Sequence, residues 1–226
     1  MAHRVTGRRR PAVLAGSWAA FAVLAAVLAA HDWTPFPFER TAVDWSVAHR
    51  PPVAETVALA VTSLGTGVAP YLLVLAAGLV TLRASPAPRS RRATAGTVLA
   101  PVLCLAAGQL LRQGLMHAFG RPRPPRTDWA FTASGFAFPS GHAFTSALCA
   151  GLLALAVARA HPRAARAAVV TAALFAGSIG LSRIYLGVHW PLDVLGAWLL
   201  AAGCLAAASI VPRPPTRSTA PVPEVP

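Results

Sequence analysis

Residues 139–158 read PSGHAFTSALCAGLLALAVA, a short polar motif followed by sixteen residues without a charge. A bilayer core takes roughly 20 apolar residues per helix, and a charge at its centre costs about 3 kcal/mol. Uncharged runs of this kind therefore mark spans. Five more occur, and the six together cover 12–30, 65–82, 94–111, 143–158, 166–182 and 192–211. The chain is 55% hydrophobic and only 12% charged, with its charges bunched between the runs. A water-soluble domain with a polar surface cannot be built from such material. The expected fold class is all-α, a polytopic membrane bundle of six transmembrane helices with short interfacial helices.

The first run follows Arg8, Arg9 and Arg10 and ends on the small residues Ala29 and Ala30, as a signal peptide would. Its apolar stretch is long for a cleavable signal, and the later loops need it as a span to keep their sidedness. Every one of the 20 basic residues is arginine. Those without evident chemistry lie in four places: Arg4 and Arg8–Arg10; Arg83, Arg89, Arg91 and Arg92; Arg159, Arg163 and Arg166; and Arg213 and Arg217. Six spans put all four on one face, which the positive-inside rule makes cytoplasmic. The PSGH motif then faces outward, in a multi-pass protein of the plasma membrane.

Residues 31–64 form a long outer connection with Trp33, Phe36, Phe38 and Trp45, interrupted by Pro51-Pro52. Aromatics of this kind anchor at headgroups, so one or two short helices on the membrane surface are expected, without chemistry of their own. Residues 1–211 read as one domain and 212–226 as a disordered cytoplasmic tail. The net charge of +13 does not imply nucleic acid, because the arginines sit in short loops and form no stripe with interleaved aromatics. Cys104, Cys149 and Cys204 fall inside apolar runs with neither disulfide nor metal-ligand spacing. Nothing in the sequence fixes an oligomeric state.

A second motif follows PSGH: Ser182-Arg183, then His189 and Asp193, in the spacing SR-x5-H-x3-D. His189 and Asp193 are one helical turn apart, with Trp190-Pro191 between them as a helix start. The carboxylate can therefore hold one ring nitrogen and leave the other as a lone pair, making His189 a candidate nucleophile. Taken alone, such a pair is more often a local helix cap. Ser140 and Gly141 precede the fourth span as an N-cap and a close-approach glycine would, where free backbone N–H groups cradle an anion. His142, in the first turn, is placed to protonate a leaving alkoxide and then to activate water. Arg121 and Arg123, stiffened by alternating prolines in RPRPP (121–125), and Arg183 supply guanidinium forks for phosphate oxygens. Carboxylates are few around these motifs, essentially Asp128 and Asp193, so arginines take the part that a metal ion has elsewhere in phosphoryl transfer. No metal or other cofactor is expected.

R-x-R-P, PSGH and SR-x5-H-x3-D, in this order, resemble the type 2 phosphatidic acid phosphatase superfamily, the lipid phosphate phosphatases, whose pocket is shared with vanadium haloperoxidases. The resemblance covers roughly residues 43–210. It implies phosphate binding by Arg123, Ser140, Gly141 and Arg183, general acid catalysis by His142, nucleophilic attack by His189 and orientation by Asp193. One departure stands out. The family's first motif opens with a lysine seven residues before Arg123, and that position is Met116. Arg112, one turn earlier on the same helix face, and the adjacent His117 are candidate replacements.

The expected activity is thus hydrolysis of a terminal phosphate on a membrane lipid, such as phosphatidate, phosphatidylglycerophosphate or undecaprenyl diphosphate, through a phosphohistidine. Residues 124–138 are expected to choose among them. The alternative, motivated by Met116, is a weakened member that binds or moves phospholipid without turnover. A haloperoxidase has no need of six membrane spans.

Overall fold

The computed structural model of the chain describes residues 3–85 and 90–210. Arg89 and the expected tail, 212–226, lie outside the described residues. The elements are α1 (His3–Ala30), α2 (Pro37–Ala48), α3 (Pro52–Ser63), α4 (Ala69–Arg83), α5 (Arg91–Phe119), α6 (Gly141–Ala160), α7 (Ala165–Tyr185) and α8 (Pro191–Ile210), with 3-10 turns at Arg126–Asp128 and Pro162–Ala164. No strand occurs among the described residues.

Among the described residues five helices are long and apolar enough to cross a membrane: Ala12–Ala30, Arg91–Phe119, Gly141–Ala160, Pro162–Tyr185 and Pro191–Ile210. The sixth expected span, 65–82, is realised only in part. Residues 64–68 form a turn with Gly67 at φ +64°, and α4 keeps 15 residues. At 1.5 Å per residue it reaches about 22 Å, short of the ~30 Å hydrocarbon thickness. In exchange α5 runs well past its expected end at residue 111 and carries Arg112 and Met116 within a continuous helix.

Helix α6 sits at the centre, packed against α4, α5, α7 and α8. Phe144, Leu148 and Leu152 repeat at the spacing that keeps one face of a helix inward, and they meet Leu105 of α5, Val74 of α4, Val194 and Leu200 of α8, and Phe21 and Leu28 of α1. The outer faces are as apolar as the inner: Leu103, Leu110, Leu174 and Val169 are all exposed, as lipid contact requires. Small residues set the helix spacing. A Cβ on Gly78 would lie 2.5 Å from the Val98 carbonyl oxygen, so α4 and α5 approach backbone to backbone.

The two ends of the bundle differ. At one, the Arg159 guanidinium donates to the Ser209 carbonyl at 3.2 Å and joins the C-terminal ends of α6 and α8. At the other, the C-terminal ends of α5 and α7 meet the N-terminal ends of α6 and α8, with α2 and α3 packed over α7 and α8. Both motifs lie there.

Candidate active site

Helix α5 ends at Gly120, whose φ of +64° is the left-handed conformation that glycine adopts without strain. The chain then runs extended through Arg121-Pro122-Arg123. The Arg121 carbonyl accepts from the Ala137 N–H at 2.8 Å, which ties this segment to the stretch before PSGH. The two arginines nevertheless part company, each taken by different partners.

Arg123 enters the pocket. Its guanidinium donates to the carbonyls of Gly135, Ser134 and Val188 at 3.1, 2.8 and 2.8 Å, and to Nε2 of His189 at 2.9 Å. Arg121 goes the other way, in contrast to the phosphate-binding role expected for it. It is fully buried, donating to Asp193 Oδ1 at 2.6 Å and to Glu39 Oε2 at 2.7 Å, with a weaker bond to the Trp33 carbonyl. Both terminal nitrogens are taken by carboxylates, and the side chain holds the site from behind.

Glu39 is the residue that the sequence did not disclose. It lies in the first turn of α2, fully buried, and accepts from the N–H groups of Phe36 and Leu192 at 3.0 Å as well as from Arg121. The connection of residues 31–64, expected to lack chemistry, therefore anchors the start of α8. It contributes further supports: Arg50 donates to the carbonyls of Asp128 and Tyr185, and Thr62 Oγ1 accepts from Arg183 at 2.9 Å. The available signal was a lone carboxylate after Phe36-Pro37, which reads equally well as a helix-start residue.

His189 is 2% exposed. Asp193 Oδ2 stands 3.5 Å from its Nδ1 and accepts a closer bond, 2.8 Å, from the Trp190 N–H. The carboxylate thus faces Nδ1 and leaves Nε2 toward Arg123, which distinguishes the two ring nitrogens as the i, i+4 spacing anticipated. Burial pushes the His189 pKa well below its ordinary 6.5, and the charges of Arg123, Arg183 and Arg112 push the same way. The ring is neutral at pH 7.

Ser140 occupies the N-cap position of α6, yet its hydroxyl makes no capping bond. Among the described residues five buried side-chain polar atoms have no hydrogen-bond partner, and four belong to the motifs: Ser140 Oγ, His142 Nε2, Arg183 Nε and His189 Nδ1. Buried polar atoms are ordinarily satisfied, so such a concentration marks a place where a ligand completes the bonding. Phe131 stands between two of these groups, with the Arg183 guanidinium 4.4 Å from its ring centre and the His142 ring edge-on at 5.7 Å.

Arg112 reaches the same place from α5. Its guanidinium carbon would lie 3.6 Å from a Cβ on Gly141, and one nitrogen donates to the Met116 sulfur at 3.3 Å. Met116 is buried beneath it. His117, the other candidate replacement, is exposed and engaged with Gln113. Among the described residues no carboxylate pairs with Arg112, Arg123 or Arg183, whereas Arg121 takes two. No cluster of three or more His, Cys, Asp or Glu side chains suited to a metal occurs among those residues. Beside Arg112, Gly141 and His142 a cavity of about 680 Å³ opens between α5, α6 and the turn before α4.

These features define a multi-pass, all-helical membrane protein with two histidines and three arginines gathered at one end. The family model described as "PAP2 superfamily" matches residues 97–216, and the chain belongs to that superfamily. It is 33% identical over 102 residues to phosphatidylglycerophosphatase B of Escherichia coli K12, a match covering 45% of this chain and 39% of that protein, so the chain spans about two fifths of the length of this curated relative. Phosphatidylglycerophosphatase B of Bacillus subtilis strain 168 is 28% identical over 160 residues, 69% of this chain and 73% of that protein. Among solved structures, the transmembrane PAP2-type phosphatidylglycerolphosphate phosphatase from Bacillus subtilis superposes with a TM-score of 0.70 at 25% identity, covering 87% of this chain and 93% of that one.

Proposed function

We propose that this protein is a phosphatase of membrane lipid phosphates, acting at the outer face of the plasma membrane through a phosphohistidine on His189 and without a metal ion. One observation carries the reading: among the described residues Arg112, Arg123 and Arg183 converge without a carboxylate partner, beside Ser140 Oγ, His142 Nε2 and Arg183 Nε, three buried polar atoms that lack hydrogen bonds. A phosphate, with several oxygens and a negative charge, suits all of them. The names of the relatives put phosphatidylglycerophosphate among the substrates to be tried first, with phosphatidate and undecaprenyl diphosphate beside it.

In this reading phosphate oxygens are taken by Arg123, Arg183, the Ser140 hydroxyl and the free N–H groups at the start of α6, with Arg112 in the place of the family lysine. Arg123 gives up its bond to Nε2 as phosphate enters. The Nε2 lone pair attacks phosphorus in line, the bond from phosphorus to the ester oxygen breaks, and His142, which takes up a proton as the phosphate anion offsets the guanidinium charges around it, delivers that proton to the departing alkoxide. Asp193 faces the Nδ1 proton and stabilises the positive charge that develops on the ring. A water then gives a proton to His142, attacks phosphorus from the vacated side, and releases inorganic phosphate with His189 restored. The guanidinium charges stabilise the transferring phosphoryl group in both steps.

The weakened-member alternative, motivated by Met116, is the less supported reading, because a guanidinium from Arg112 lies near Gly141 and can serve in place of the missing lysine. The test is phosphate release from a panel of lipid phosphates by detergent-purified protein with EDTA present. Turnover that survives chelation and is inhibited by vanadate is expected. Turnover abolished by EDTA and restored by Mg²⁺ overturns the metal-free mechanism, and failure on every lipid phosphate overturns the enzyme.

A further inference from the structure

The cavity beside His142 is far larger than a phosphate needs; at about 680 Å³ it has the size of a small-molecule site. One wall is catalytic, formed by Arg112, Gly141 and His142. Another carries a row of hydrogen-bonding side chains: the Tyr71 hydroxyl donates to Gln109 Oε1 at 3.3 Å, and Gln109 Nε2 donates to Thr145 Oγ1 at 3.4 Å. Gln109 lies one turn deeper in α5 than Arg112, and Thr145 one turn deeper in α6 than His142. Both therefore sit within membrane-spanning helices among apolar neighbours, where polar side chains are costly and commonly mark a pathway or site. Both bonds are near the long limit and exchange readily for better partners.

The position of the row follows from the chemistry. His142 protonates the leaving oxygen, so the leaving group departs on the His142 side, opposite His189, and into this cavity. The edge of the cavity carries Leu110, which is 74% exposed, and Tyr71, which is 42% exposed, so an apolar tail passes outward between α4 and α5 into lipid. Tyr71, Gln109 and Thr145 together offer hydroxyl and amide donors and acceptors at the depth of the first few atoms beyond the phosphate. A glycerol linker presents ester and hydroxyl oxygens there. A prenyl chain presents only hydrocarbon, and would leave the row buried against apolar surface.

We infer that Tyr71, Gln109 and Thr145 form a leaving-group subsite for the oxygen-bearing linker of a glycerolipid phosphate, and that it sets a preference for such substrates over prenyl phosphates. This rests on the phosphatase reading above. The test compares kcat/KM in mixed micelles for a diacylglycerol phosphate, farnesyl phosphate and p-nitrophenyl phosphate, using the wild-type protein and the variants Gln109→Leu, Thr145→Val and Tyr71→Phe. The wild type is expected to favour the diacylglycerol phosphate over farnesyl phosphate. Gln109→Leu should lower that ratio about tenfold, the size of one to two neutral hydrogen bonds, with a smaller fall for Thr145→Val and Tyr71→Phe. The last two are near-isosteric and keep the test decisive should Gln109→Leu fail to fold. An unchanged ratio in folded variants, or equal losses on all three substrates, overturns the subsite while leaving the phosphatase standing. Absence of turnover on all three by the wild type overturns both.

Discussion

Replacing Arg121 and Arg123 in turn should produce opposite phenotypes, although the two are separated by a single proline. Arg121 is fully buried between Asp193 at 2.6 Å and Glu39 at 2.7 Å. Its removal as Arg121→Met fills the space but strands two buried carboxylates, and breaking a buried pair of this kind costs about 3–5 kcal/mol. For a chain of this length that corresponds to a fall of about 6–20 °C in apparent melting temperature. Arg123 has no carboxylate partner among the described residues, and its three backbone acceptors, the carbonyls of Gly135, Ser134 and Val188, belong to loops at the mouth of the pocket. Arg123→Gln relieves repulsion from Arg112 and Arg183, so its melting temperature should change by only a few degrees. Its cost appears in anion binding instead: a charge-assisted bond contributes about 1.5–3 kcal/mol, so the vanadate inhibition constant should rise roughly 10- to 150-fold. Thermal unfolding in detergent and vanadate inhibition, measured on both variants, separate the two roles. An Arg121→Met protein that keeps its melting temperature while its vanadate affinity drops tenfold would refute the division, and would return Arg121 to the phosphate.

Four further outcomes are expected. Arg112→Ala should cut turnover far more than Met116→Ala, and Met116→Lys should be neutral or activating; equal and small effects of the two alanine variants would mean that no cation is needed at this place. His189 should titrate well below pH 6.5 by nitrogen NMR, and Arg123→Gln should move the midpoint upward, since it removes one of the charges that disfavour the imidazolium. Because the unfolded chain takes up that proton near 6.5 and the folded one does not, the same group lowers stability as pH falls below 6.5. His142→Ala, given an aryl phosphate whose leaving group needs no proton, should accumulate an acid-labile phosphohistidine that His189→Ala never forms; label on His142 in the wild type would reverse the roles. For orientation, alkaline phosphatase fused at the C-terminus should be inactive and fused near Thr127 active, and the opposite pattern would invert the topology.

What the sequence made legible was whatever depends on local spacing. Apolar runs of bilayer length located the long helices, and the i, i+4 relation of His189 and Asp193 placed a carboxylate on the Nδ1 side of the ring. The two short helices of the outer connection were likewise visible from Pro51-Pro52 and the aromatics. Two things were not. The length of α4 depended on Gly65 and Gly67, whose turn removes the first residues of an apolar run that composition alone counts as a span. Glu39 escaped because its partners, Arg121 and the Leu192 N–H, lie far along the chain, and nothing local distinguishes a buried carboxylate from one that merely opens a helix.

The division of labour among the arginines shows why that long-range pairing matters for function. Position in the motif made Arg121 and Arg123 look alike, and both carry the same charge. What separates them is where the compensating anion comes from. Arg121 is neutralised from within by Glu39 and Asp193, so it holds the start of α8, and with it His189, in fixed relation to α2. Arg112, Arg123 and Arg183 have no carboxylate partner among the described residues, and their charges add to burial in holding the His189 pKa below its ordinary value. In the proposed mechanism a phosphate entering the pocket brings the missing charge and, by offsetting those guanidiniums, also stabilises the imidazolium character that His189 acquires as it attacks. On that proposal the same three side chains thus help to keep the nucleophile unprotonated before substrate arrives and bind the substrate that relieves their repulsion.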